Sequence, residues 1–186
     1  LALEAAGAAL ASATCDHVRA VWTTPGTATP GSRLTAPLLR ELIQTVQVDL
    51  WITSFAVHKI PGIVSDLAGA LERGVATRLV LETVATSGGK LSFDQVDYLR
   101  QKLPGALLLG WPRERRPVTP NGDVGVLHAK IAVADRRRLL VTSANLTEFA
   151  LHYNLELGVH IEGPEAAESV ARHLARLLSR GDLQPL

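Results

Sequence analysis

The sequence is short of the residues that would assign it to several common classes. It has one cysteine among 186 residues, Cys15, so an internal disulfide is excluded and a reducing, cytoplasmic setting is expected. Aromatic residues make up 4% of the chain, so its core must be built from Leu, Val and Ala, and base stacking can contribute little to any nucleic-acid contact. No apolar run is long enough to span a bilayer, and no membrane insertion is expected. No His/Cys/Asp/Glu group has the spacing of a metal site. Methionine is absent, so the chain as given has no initiator residue. The opening stretch LALEAAGAALASATC has no basic lead-in and contains Glu4; it reads as an Ala-rich helix, not a secretory or lipoprotein leader.

What is present is an apolar content of 47%, ample for a core, and a near-neutral charge that is unevenly spread. Residues 112–138 carry seven basic and three acidic groups, a net +4, which leaves −3 for the remainder. Arg113, Arg115, Arg116 and Arg136–Arg138 are therefore candidates for contacting a polyanion, although a charge run of this kind is as often a solvated surface.

Hydrophobic periodicity gives alternating strands and helices. Strands are expected at 18–24, 49–55, 75–82, 106–111 and 153–161, and helices at 1–14, from Thr35, at 61–73, at 92–103 and at 164–180. Thr35 and Ser92 are the expected caps of their helices, and Gly74 and Gly181 the expected stops. Residues 24–33 and 112–125, rich in Pro and Gly, read as loops. The pattern predicts one α/β domain over 1–186, with residues 1–33 an extension and 34–180 the core.

The chemistry concentrates in residues 127–158. Three pairs of polar residues are each spaced i, i+2: His128 and Lys130, Ser143 and Asn145, Asn154 and Glu156. On a strand such residues share a face about 7 Å apart, so three strands would gather six polar groups into one patch. Leu127, Ala129, Ile131 and Val133 alternate with the first pair and suit a core face. The short link at Asp135–Arg138 predicts a hairpin. Read without further context, each pair is also compatible with edge or turn hydrogen bonding.

Taken together, His128-x-Lys130, Asp135, Ser143-x-Asn145 and Asn154-x-Glu156-x-Gly158 resemble the phospholipase D superfamily, with Thr142 where that pattern has Gly. The stretches at 49–55 and 74–82 resemble the first half of the same domain. VWTTPG and DLWITSFAVHK further resemble the phospholipase D-like proteins of bacterial DISARM antiphage systems. The resemblance implies a mixed β-sheet flanked by helices on both faces, and a phosphodiesterase that needs no metal or other cofactor. It implies His128 as a nucleophile forming a phosphohistidine, Lys130, Asn145 and Ser143 as phosphate donors, and Glu156 as the group that orients the imidazole. Asp135 is then structural. Asn154, Arg115, Arg116 and Arg136 are candidate substrate contacts. One His cannot be nucleophile and general acid in the same step, so a single motif implies a homodimer with two His128 residues facing across its axis. DNA is the expected substrate, partner subunits of a defence system are a further expectation, and His160, in register with Glu156, is a candidate second acid. A phospholipid hydrolase or transferase and a non-catalytic DNA-binding subunit are the alternatives.

Overall fold

The computed structural model describes residues 16–24 and 33–186; the expected helix at 1–14, Cys15 and most of the 24–33 loop lie outside them. The strands are β1 (His17–Thr23), β2 (Arg33–Leu34), β3 (Asp49–Ser54), β4 (Val57–His58), β5 (Ala76–Leu81), β6 (Leu107–Gly110), β7 (Ile131–Ala134), β8 (Arg138–Thr142), β9 (Leu146–Thr147), β10 (Glu156–Glu162) and β11 (Gln184–Pro185). The helices are α1 (Thr35–Thr45), α2 (Pro61–Glu72), α3 (Gln95–Lys102), α4 (Glu148–His152) and α5 (Pro164–Ser179).

Among the described residues, nine strands form one mixed sheet in the order β11-β6-β5-β3-β7-β8-β10-β1-β2, and β4 and β9 pair separately. The β3, β5 and β6 strands are parallel, joined by right-sized helical crossovers; β7, β8 and β10 run antiparallel as a meander. β7 lies antiparallel to β3, so the C-terminal end of β3 and the N-terminal end of β7 share one end of the sheet.

Helices cover both faces, as expected. Leu38, Leu39, Leu42 and Ile43 of α1 and Ile63, Val64 and Leu67 of α2 recur at helical spacing and bury against Leu50, Ile52, Ala132 and Leu140. On the other face Ala167, Ala171 and Leu174 of α5 pack on Trp51, Val80, Leu109, Val133 and Leu139. Strand alternation places Ile52 on one face and Trp51 on the other, and β3 is buried throughout, as a central strand between two helix layers must be.

Several local expectations change. Thr35 is the first helical residue, not the cap, and its buried hydroxyl has no hydrogen-bond partner. Asp94, not Ser92, caps α3, accepting from the backbone N–H of Val96 at 3.0 Å and of Asp97 at 3.1 Å. The strand expected from Leu127 begins only at Ile131, because the Leu127 N–H is taken by the Glu82 carboxylate at 2.9 Å, not by a neighbouring strand. α5 is capped from a distance: Asp16 accepts from the backbone N–H of Glu165 at 3.1 Å and Ala166 at 2.7 Å. Gly163, at φ 145°, lies so close to Asp16 that a Cβ there would meet its Oδ1 at 2.1 Å.

Candidate functional site

His128 and Lys130 precede β7, Ser143 and Asn145 follow β8, and Asn154 and Glu156 enter β10. β8 pairs with both β7 and β10, so these three segments meet at one end of the sheet. All three i, i+2 pairs are therefore brought to one place, although only Glu156 lies within a strand.

The contacts are specific. Ser143 Oγ donates to the Glu156 carboxylate and accepts from the Leu157 N–H at 3.2 Å. Asn154 Nδ2 donates to Glu156 Oε1 at 2.9 Å. Lys130 is buried, and its Nζ donates to the His128 carbonyl at 2.7 Å. Burial lowers the Lys130 pKa from its usual value, and the negative charge of Glu156 opposes that shift. The His128 ring is exposed and lies 5.6 Å from the Phe55 ring, tilted by 56°. Asn145 Oδ1 is buried with no partner, an expense that native interiors rarely carry without a ligand or water to meet it.

Thr142 and Gly158 explain each other. They are cross-strand partners, and Thr142 Oγ1 accepts from the Ala144 N–H at 3.1 Å, which shapes the turn that carries Ser143 and Asn145. A Cβ on Gly158 would meet Val141 O at 2.7 Å and Thr142 Cβ at 3.0 Å. The β8–β10 approach that joins Ser143 to Glu156 thus requires glycine at 158.

Other site expectations are corrected. Glu156 is held by Ser143 and Asn154 and does not bond the His128 imidazole. Arg116 is buried: it pairs with Glu82 through contacts of 2.9 Å from Nη1 and Nη2, and donates to Trp111 O, Thr86 O and Gly125 O. Its guanidinium is spent on the interior and does not face a substrate. Arg136 sits in the β7–β8 turn, at the opposite end of the sheet from His128, paired with Asp49 at 3.2 Å and Glu168 at 3.4 Å. The Asp135 carboxylate accepts from the backbone N–H groups of Gln47, Val48 and Asp49 and fixes the loop between α1 and β3. Arg115 is exposed at the end of a short 3-10 turn, Arg113–Arg115. His160 is buried within β10, with Nδ1 3.7 Å from Glu162. Ala129 is exposed, whereas Val133 is core.

Sequence reasoning missed Glu82, Phe55 and Gln95. Glu82 is fully buried and joins Arg116, Thr86 and the Leu127 N–H, so it sets the segment that carries His128. Gln95 accepts from the Val57 N–H at 2.5 Å and donates to Phe55 O and Glu82 O, tying β4 and Phe55 to the same end of the sheet. A charged residue closing an apolar strand was the available signal for Glu82. Its partner lies 34 residues away with no local spacing to announce it.

Residues 39–178 match the family model described as "Cardiolipin synthase, PLD-like domain", well over half of the chain. The chain belongs to the phospholipase D superfamily. Solved structures of phospholipase D-like fold agree at low identity. NucT from Helicobacter pylori superposes with a TM-score of 0.69 at 15% identity, covering 81% of this chain and 90% of that one. Nuc from Salmonella typhimurium, a phospholipase D family member, gives 0.65 at 19% identity, with 92% and 99% covered. Phosphatidylserine synthase from Haemophilus influenzae gives 0.67 at 17% identity; the match covers 93% of this chain and 40% of that one. No curated protein sequence matches the chain. Among the described residues no three His, Cys, Asp or Glu side chains are grouped as a metal site, and no helix is long and apolar enough to cross a membrane.

Proposed function

We propose that this phospholipase D-like protein is a metal-independent phosphodiesterase acting on nucleic acid through a phosphohistidine at His128. The observation that carries the reading is the convergence of His128, Lys130, Ser143, Asn145 and Glu156 at one end of the sheet, with His128 exposed. In the first step an imidazole nitrogen of His128 attacks phosphorus and the P–O bond to the leaving group breaks, the leaving oxygen taking a proton from a general acid. In the second step water attacks phosphorus and gives its proton to the group that served as acid, the P–N bond breaks and His128 is regenerated. Lys130 and Asn145 supply the cation and the amide that meet the phosphoryl oxygens, and Glu156 holds Ser143 and Asn154 beside them. Every donor in this scheme is a side chain.

The general acid is His128 of a second copy, in an isologous homodimer. An apolar collar beside the site supports this. Phe149, Tyr153 and Leu155, which flank Asn154, are all exposed, and the Asn154 N–H bonds Phe149 O at 2.9 Å. Exposed apolar groups gathered in this way mark an association surface.

The charge argument for nucleic acid rests on Arg115 with Arg113, since Arg116 and Arg136 face elsewhere. That loss favours a second reading, phospholipid as substrate, in which the family description and the likeness to phosphatidylserine synthase weigh equally. A role in antiphage defence, as a nuclease or as a DNA-binding subunit, rests on the likeness of the front segment. Incubation with single-stranded DNA, double-stranded DNA and phosphatidylcholine vesicles, each with and without EDTA, separates these. The proposal expects DNA cleavage that survives EDTA. Phosphatidic acid release without DNA cleavage would establish the lipid reading, and activity lost to EDTA and restored by magnesium would overturn the mechanism.

A further inference from the structure

Behind β7 and the segment before it that carries His128, between the sheet and α5, lies a half-open cavity of about 630 Å³. Clefts of about 300–1,000 Å³ are typical of small-molecule sites. The cavity is on the face opposite His128 and Lys130, so it is not the phosphodiester site. Its walls are aliphatic: Val80 and Ile131 from the sheet, Leu127 beside them, and Val170, Leu174 and Leu177 from α5. One aromatic residue, Trp111, lines it, and its ring already stacks on the Arg116 guanidinium at 5.1 Å.

The polar groups in this wall are few. Thr53 forms part of the floor; it is 2% exposed, and its hydroxyl has no hydrogen-bond partner. It shares the face of Trp51, against α5. Arg115 and His173 stand at the rim, both exposed. Asp182, the acid in the lining, is taken by Arg180 at 3.1 Å, whereas Arg115 forms no ion pair with any described residue. A mainly aliphatic chamber with a guanidinium at its mouth that pairs with no described acid fits an amphiphile with a single acyl-length chain and an acidic head.

We infer that this cavity is a binding site for a single-chain anionic amphiphile of the fatty-acid class, its chain against Val80, Leu127, Leu174 and Leu177 and its head group at Arg115. The chamber is distinct from the place where His128 reacts, although Arg115 at its mouth is also the residue on which the charge argument for nucleic acid rests. It shares a segment with that place, because Leu127, Ala129 and Ile131 line the cavity while the alternating His128 and Lys130 face the catalytic end.

The test is calorimetric titration of the full chain with decanoate and with 1-decanol, below their aggregation range, with no turnover involved. Decanoate should bind saturably at one site per chain. Arg115→Ala should weaken decanoate about tenfold or more, the scale of a lost charged hydrogen bond, and leave decanol unchanged. Val170→Trp, which fills the chamber, should abolish binding of both; Ser169→Trp, at an exposed position of the same wall, repeats the block should the first variant melt early. Absence of saturable binding overturns the inference, as does decanoate binding that survives both tryptophan variants. Equal affinity for decanoate in wild type and Arg115→Ala removes the anionic head from it. Displacement of decanoate by a short oligothymidylate would reassign the chamber to nucleic acid.

Discussion

Thr142 and Gly158 show how far a single residue reaches in this protein. The bulk of Thr142 beside the site was legible in the sequence; the glycine that accommodates it had meaning only once β8 and β10 were paired. Gly158→Ala places a methyl against Val141 O and the Thr142 side chain. It should cost about 1–3 kcal/mol in denaturant unfolding, the range for overpacking, and should lower activity by more than its loss of fold accounts for, since Ser143 and Glu156 part. At Lys130 the argument is electrostatic. Burial already disfavours its charge, and Glu156 restores part of it. Lys130→Ala is expected to reduce turnover by about 10²–10³-fold, the effect of removing one preorganised donor, with an unchanged unfolding midpoint in the same titration. Glu156→Gln should slow turnover by loosening Ser143 and Asn154, and adding Ser143→Ala to it should cost little more in steady-state kinetics, as expected for two residues that act as one unit.

At the scale of elements, buried polar contacts between distant segments hold the site end together. The strands and helices were readable because apolar periodicity is local: α1, α2 and α5 follow their stripes of Leu, Ile, Val and Ala. The segment before β7 was not readable as an unpaired stretch, because its apolar alternation is that of a strand, and only the Glu82 carboxylate at Leu127 shows why pairing stops. Likewise the arginine cluster looked uniform in sequence, yet Arg116 is interior, Arg136 belongs to the far turn and Arg115 stands exposed at a cavity mouth. Arg116→Ala leaves Glu82 buried without its partner and should destabilise by about 3–5 kcal/mol, measured by urea unfolding. Burial alone would raise the Glu82 pKa, but Arg116, Thr86 and the N–H groups of Thr83 and Leu127 outweigh it and hold the carboxyl below its usual value. A depressed carboxyl contributes its stability fully above the unfolded value of about 4.3 and loses it as pH falls through the lower folded value. Wild type should therefore lose stability steeply below about pH 4.3, and Arg116→Ala should flatten that slope; an identical slope in both would remove the pair from the account.

For the whole molecule, the sheet order decides what one chain can supply. It brings one His, one Lys and one Asn of the motif to the site end. If two His128 residues form each site, refolding equal amounts of wild type and His128→Ala gives about a quarter wild-type homodimers by random pairing. Mixed dimers then lack either nucleophile or acid, a loss of about 10²–10⁴-fold. Activity per total protein should fall toward a quarter; a value near a half means independent sites and makes His160 the first residue to test as the acid. The claim beneath all of this is that His128 carries the reacting phosphorus. Trapping addresses it directly: incubate the protein with a phosphorus-labelled form of whichever diester it cleaves, denature it at alkaline pH within the turnover time, and measure the mass and label of the intact chain. Wild type should carry one acid-labile phosphorus adduct per active site, and His128→Ala none, with turnover at background. Label of equal yield on His128→Ala, or substantial turnover by it, would contradict the account.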